Sequence, residues 1–136
     1  MKKLSASKEE LSKVVNALPK EGVIILKGDL ASGKTTLTKA LALTLGIDEE
    51  ITSPTFSIMQ SYEFATGMLY HYDIYQNGFS AMVQNGLFEN LLQDGLHVIE
   101  WGDDELIKAL KKYAITPTVV KISVKNSERE YEIYEA

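Results

Sequence analysis

The chain contains no cysteine. Disulfides, thiolate zinc sites and cysteine nucleophiles are therefore excluded, and nothing in the composition signals secretion. Basic residues are also in deficit: fourteen Lys and Arg against nineteen Asp and Glu leave a formal charge of −5. A protein that grips nucleic acid through its phosphates usually carries a basic excess, so unaided RNA or DNA binding is disfavoured. Only one of the fourteen basic residues, Arg129, is an arginine. No apolar run approaches the eighteen or so residues that a membrane span needs. The opening MKKLSASKEELSK has two lysines with no apolar stretch behind them, unlike a signal peptide. These features predict a soluble, cytoplasmic protein with no membrane role. Its 136 residues suit a single domain, 1–136, with one buried core.

The pattern along the chain is mixed. Ser7-Lys8-Glu9-Glu10 has the form of a capping box, and Leu11, Val14, Val15 and Leu18 follow at helical spacing. This predicts a helix from Lys8 to Ala17, ended by Pro19. Val23-Ile24-Ile25-Leu26 has the β-branched, unbroken apolar character of a strand buried on both faces. A loop from Gly28 to Gly33 then leads into a helix from Lys34 to Leu45, with Gly46 closing it. Strands are expected at Ser57 to Phe64, Met68 to Asp73, Leu96 to Trp101, Thr118 to Val124 and Arg129 to Tyr134, with Asn126-Ser127 in the last turn. Met82 to Leu92 is patchily helical and interrupted by Gly86. Asp103 to Tyr113 reads as a helix with acids first and lysines last, which suits the macrodipole. This order predicts an α/β protein with a mixed sheet.

The strongest local signal is Gly28-Asp29-Leu30-Ala31-Ser32-Gly33-Lys34-Thr35, a full match to G-x-x-x-x-G-K-[ST]. Glycines allow the backbone to curl so that successive N–H groups face phosphate oxygens, and the following helix contributes its positive end. Lys34 would bridge the β- and γ-phosphates, and the Thr35 hydroxyl would supply one oxygen to octahedral Mg²⁺. At ordinary residue frequencies a chance match in a chain this size has odds of about 0.005. A strand before the motif and a helix after it lower those odds further. The expected architecture is a P-loop NTPase-like three-layer fold, a mixed β-sheet flanked by helices.

Such a loop needs a carboxylate near the metal, usually at the end of a neighbouring apolar strand. Asp73 closes Met68-Leu69-Tyr70-His71-Tyr72-Asp73, and Glu100 closes Leu96-His97-Val98-Ile99-Glu100. One acid could hold the metal or its water shell while the other orients an attacking water, although any α/β protein has surface acids at strand ends. His71 and His97 both fall inside predicted strands, where packed and hydrogen-bonded imidazoles are commoner than metal ligands. Trp101 follows Glu100 and reads equally well as ordinary packing or as a wall beside the nucleotide. The scarcity of arginine argues against a free-standing kinase, which generally uses several to neutralise donor and acceptor phosphates. Either Arg129 completes the site or a partner supplies the missing charge.

Taken together, GDLASGKTT from Gly28, SPTF from Ser53, LYHYDIY from Leu69 and EW at Glu100 resemble the TsaE family, formerly YjeE. These are the bacterial ATPases of tRNA threonylcarbamoyladenosine synthesis. The resemblance implies a weak Mg-dependent ATPase, binding ATP and ADP and stimulated by its partners TsaD and TsaB, with tRNA contacted only through the complex. It implies catalytic roles for Lys34, Asp73 and Glu100, with Thr35 and Glu100 on Mg²⁺ and Asp73 in the Walker-B position. The implied nucleotide contacts are Leu30, Ala31, Ser32, Gly33, Lys34, Thr35, Thr36, Thr55, Trp101 and Arg129, with a further one between Ser5 and Lys8. Ser53 to Phe56 would form a switch-like loop sensing the γ-phosphate. The family usually reads GDLGAGKT, whereas Ala31 and Ser32 stand here; its arginine after H-x-D-x-Y is Gln76; its acid after E-W is represented by Asp103 or Asp104. The competing classes are a small P-loop nucleotide or metabolite kinase, and a nucleotide-dependent binding module without turnover.

Overall fold

A computed structural model describes residues 1–29, 32–52, 58–75 and 78–136. Its centre is a run of four parallel strands. β2 (Gly22–Lys27) lies between β6 (Thr118–Lys125) and β5 (Leu96–Glu100), and β4 (Gly67–Asp73) continues the run beyond β5. Antiparallel strands extend both edges: β7 (Glu128–Glu135) and then β1 (Lys2–Ala6) beside β6, and β3 (Met59–Phe64) beside β4. The sheet order is β1-β7-β6-β2-β5-β4-β3.

The central strands read as unbroken apolar runs because both sheet faces are covered. Alternate residues of β2 serve two separate cores. Ile24 and Leu26 pack with Leu37 and Leu41 of α2 (Lys34–Thr44) and with Leu11 and Val14 of α1 (Leu11–Val15). Val23 and Ile25 pack with Met82 of α3 (Gly78–Gln84) and with Leu106 and Leu110 of α4 (Asp104–Lys112). The result is the expected three-layer α/β arrangement with a mixed sheet. No described helix is long and apolar enough to cross a membrane.

Several local expectations shift. The first helix is shorter than Lys8 to Ala17: a 3-10 turn over Lys8–Glu10 precedes α1, which stops at Val15. The Glu10 carboxylate turns back to accept the Ser7 N–H at 3.0 Å, so the capping signal is used, but on the tighter turn. The other end tightens ahead of Pro19, with Ala17 and Leu18 N–H donating to the carbonyls of Val14 and Val15. The patchy segment resolves into α3, starting at Gly78, and a 3-10 turn over Glu89–Leu92. Strand β5 ends at Glu100, leaving Trp101 outside it with a left-handed φ of 67°. The edge strand β1 was not expected; only Ala6 of its five residues is buried, so it carries no apolar alternation.

A polar network locks β4 to β5 on the α3/α4 face. Asn90 Nδ2 donates to the Tyr72 hydroxyl at 2.7 Å, and Tyr72 donates to His97 Nδ1 at 2.7 Å. His97 Nε2–H donates in turn to the Gln93 carbonyl at 2.9 Å. With Nε2–H committed to a carbonyl, the neutral imidazole keeps Nδ1 as its acceptor and so takes the Tyr72 hydroxyl proton. Burial lowers the His97 pKa from 6.5, with the Gln93 carbonyl opposing part of the shift. In the unfolded chain the ring recovers its ordinary value and binds a proton more readily. Its contribution to stability is therefore full above about pH 6.5 and is lost as the pH falls below it. Long-range ¹H–¹⁵N NMR at pH 6 should show His97 neutral with the proton on Nε2; a cationic ring at that pH would contradict the network.

Candidate functional site

The site lies where the parallel strands deliver their carboxyl ends. Leu26 of β2 pairs with Glu100 of β5, and Glu100 pairs with Asp73 of β4. Directly opposed residues share a sheet face, so both acids lie on the face covered by α2. The β2–α2 connection is shaped by two glycines. A Cβ on Gly28 would lie 2.5 Å from Ser32 Oγ and 3.1 Å from the Ile122 carbonyl oxygen, so only glycine allows that approach. Gly33 has φ 108°, a conformation open chiefly to glycine, and caps α2.

The first turn of α2 faces the acids. Thr35 Oγ1 donates to the Glu100 carboxylate, 3.2 Å from Oε1 and 3.1 Å from Oε2. Glu100 is 3% exposed, and its Oε2 lies 2.5 Å from His71 Nε2. Asp73 Oδ1 accepts the Tyr75 N–H at 3.0 Å. Burial raises the Asp73 pKa; the Tyr75 hydrogen bond opposes this, and the charge of Glu100 reinforces it.

Lys34 is buried, and its ammonium donates to the carbonyls of Gly28 at 2.8 Å and Asp29 at 2.9 Å. It also sits 4.0 Å from the centroid of the Trp101 indole, a cation–π contact. Burial lowers its pKa, with Glu100, Asp73 and Asp29 pulling the other way. The left-handed backbone at Trp101 places its ring over this lysine and against Tyr75, at 4.7 Å between centroids.

A cavity of about 530 Å³ opens over these groups. Ser32, Gly33, Lys34, Thr35, Thr36, Asp73, Glu100, Trp101 and Arg129 all line it. Residues 97 positions apart meet at its rim, where Arg129 Nε donates to the Ser32 carbonyl at 3.0 Å. Ser32 Oγ is buried with no hydrogen-bond partner among the described residues. Lys8 also lines the cavity, giving one residue within the broad Ser5 to Lys8 expectation. Leu11, Ser127 and Tyr131 line it too and were not anticipated. Tyr131 reaches it from β7, Ser127 from the β6–β7 turn and Leu11 from the start of α1, a meeting that local patterning does not reveal. Leu30, Ala31, Thr55, the Ser53 to Phe56 segment and Gln76 lie outside the described residues. Of the two acids after Trp101, Asp103 caps α4 by accepting the Leu106 N–H at 2.9 Å, and Asp104 pairs with Lys27 at 3.5 Å. Both histidines are hydrogen-bonded within the fold, the commoner use expected of them.

A glycine loop between a buried parallel strand and a helix, faced by acids closing the two next strands, defines a P-loop NTPase-like protein. Within that class the chain belongs to the TsaE family: residues 1–133 match the family described as threonylcarbamoyl adenosine biosynthesis protein TsaE. Among relatives named tRNA threonylcarbamoyladenosine biosynthesis protein TsaE, that of Treponema pallidum is 40% identical over 117 residues, covering 85% of each chain. That of Bacillus subtilis is 39% identical over 67% of this chain and 58% of its own length. That of Rickettsia conorii is 31% identical over 87% of this chain and 67% of its own. The crystal structure of Bacillus subtilis YdiB superposes with a TM-score of 0.63 at 29% identity, covering 99% of this chain and 86% of that one.

The raised Asp73 pKa carries a stability consequence. The folded state holds this proton more tightly than the unfolded chain, so the group favours folding at low pH and loses that contribution as the pH rises through the folded pKa. Asp73→Asn keeps the acceptor for Tyr75 and mimics the protonated form. The ligand-free variant should melt at a higher temperature than the parent at pH 7, with the gap closing towards pH 3.8. A lower melting temperature at pH 7 would show that the ionised carboxylate is not under strain.

Proposed function

We propose that residues 1–136 form a single P-loop ATPase domain that binds ATP and ADP with Mg²⁺ and hydrolyses ATP weakly. In this reading it is a cytoplasmic accessory protein of tRNA threonylcarbamoyladenosine biosynthesis, acting with TsaD and TsaB. The observation that carries the proposal is the convergence of Lys34, Thr35, Asp73 and Glu100 on one cavity at the carboxyl edge of the parallel strands.

Lys34 would exchange the Gly28 and Asp29 carbonyls for phosphate oxygens, a charge-assisted contact stronger than the neutral acceptors it leaves. Ser32, Gly33, Thr35 and Thr36, with Leu30 and Ala31, would cradle the phosphates through the loop and the N-terminus of α2. Trp101 would wall the nucleotide, Arg129 would contact it from the rim, and Thr55 would belong to a loop sensing the γ-phosphate. The donor set suits a hard divalent cation, because the Thr35 hydroxyl and the Glu100 carboxylate put oxygens side by side with Asp73 in register beside them. Bound Mg²⁺ would neutralise charge on the β- and γ-phosphate oxygens. Asp73 would hold the metal's water shell or orient the attacking water.

The kinase alternative is disfavoured by the sole arginine, whose Nε is engaged by the Ser32 carbonyl. The same scarcity supports slow turnover alone, since an arginine supplied in trans is worth about 10³–10⁵ in rate in GTPases. The acidic balance supports leaving tRNA to the partners.

Two measurements test the proposal. Lys34→Ala should weaken ATP binding in calorimetry by about 10- to 100-fold, the value of one hydrogen bond to a charged group; unchanged affinity would sink the nucleotide site. Phosphate release should be slow for the chain alone or with tRNA, and faster with TsaD and TsaB. Fast turnover in isolation, or tight salt-sensitive tRNA binding without partners, would overturn the accessory role.

A further inference from the structure

Glu100 has its backbone fixed by the sheet and by the Ile74 N–H, which donates to its carbonyl at 3.2 Å. The residue is 3% exposed and faces Asp73 across the β4–β5 register. A carboxylate so enclosed needs donors to hold it in one rotamer. Thr35 is one, but its hydroxyl is shared between both carboxylate oxygens. The second is His71, whose Nε2 lies 2.5 Å from Oε2.

His71 is fully buried, and its Nδ1 has no hydrogen-bond partner among the described residues. An imidazole retained for packing alone would bury polar nitrogens that an apolar ring of similar size avoids. The hydrogen bonding found for this ring is spent on Glu100. His71 also lies two positions before Asp73 on β4, so both side chains project from the same sheet face towards α2.

We propose that His71 is a positioning residue for Glu100, donating Nε2–H to Oε2 and so presenting Oε1 to a divalent cation beside Thr35. The inference deepens the Mg-nucleotide reading above and rests on it. Partners that orient a ligating carboxylate typically change metal affinity by about 10–100-fold when removed.

The test measures ADP affinity by calorimetry with EDTA and with Mg²⁺, taking the ratio as the Mg²⁺ enhancement. In His71→Leu the enhancement should fall by about 10–100-fold, while metal-free ADP affinity stays at the parent value. His71→Gln, whose amide nitrogen reaches about as far as Nε2, should recover most of the enhancement, and the shorter His71→Asn should not. If His71→Leu fails to fold, the Gln and Asn variants decide by themselves. Parent-like enhancement in His71→Leu, equal loss of metal-free and Mg²⁺-dependent affinity, or Asn performing as well as Gln would each overturn the positioning role. A parent chain that binds ADP with no Mg²⁺ enhancement would instead overturn the metal reading, and the role of His71 with it. A parent chain that binds no ADP would overturn the nucleotide reading.

Discussion

The site depends on one register. Leu26, Glu100 and Asp73 lie in line across β2, β5 and β4, and the phosphate loop leaves the sheet two residues after Leu26. Side chains alternate along a strand, so a one-residue slip of β4 or β5 would send its acid through the sheet into the other core. Burial on both faces forbids such a slip. On β5, Val98 belongs to the core under α1 and α2 and Ile99 to the core under α3 and α4. The apolar packing that stabilises the sheet is thus also what aims the chemistry, and the turn held by Gly28 and Gly33 brings Lys34 and Thr35 to meet it.

That convergence concentrates charge where solvent is scarce. Burial pulls the Lys34 pKa down and pushes the Asp73 pKa up, so each would be more comfortable neutral. The fold holds the charges of the site with substitutes: loop carbonyls and an indole face for the ammonium, the Tyr75 N–H for Asp73, and a threonine hydroxyl and an imidazole for Glu100. These partners resemble a ligand's groups in kind but carry less charge. Opposed, desolvated charges of this sort are a common mark of functional sites.

Much of this was legible locally. The Val23 to Leu26 run, the glycine loop and the helix from Lys34 gave the strand–loop–helix unit, and Asp73 and Glu100 were identifiable as strand ends. Their being register partners was not, because parallel pairing joins segments far apart in the chain. The same limit hid Ser127 and Tyr131, which reach the cavity through the β6–β7 hairpin beside β2, and Leu11, which reaches it from α1 packed over the sheet. It also hid the meeting of Arg129 with Ser32. Strand β1 escaped because Lys2, Lys3 and Ser5 are exposed and leave no apolar period. His71 was read correctly as packed and hydrogen-bonded, but its partner could only come from the fold. Trp101, evenly balanced on sequence alone, falls on the cavity side because its left-handed backbone turns the ring over Lys34.

The central claim is that the loop from Gly28 to Thr36 and the two strand-end acids form one Mg-nucleotide site. A crystal structure of the chain with Mg²⁺ and a non-hydrolysable ATP analogue tests it most directly. The account predicts the triphosphate wrapped by this loop, the cation on Thr35 and Glu100, and the Lys34 ammonium moved from the Gly28 and Asp29 carbonyls onto phosphate oxygens. A nucleotide bound elsewhere, or Lys34 still on those carbonyls with the cation away from Glu100, would contradict it.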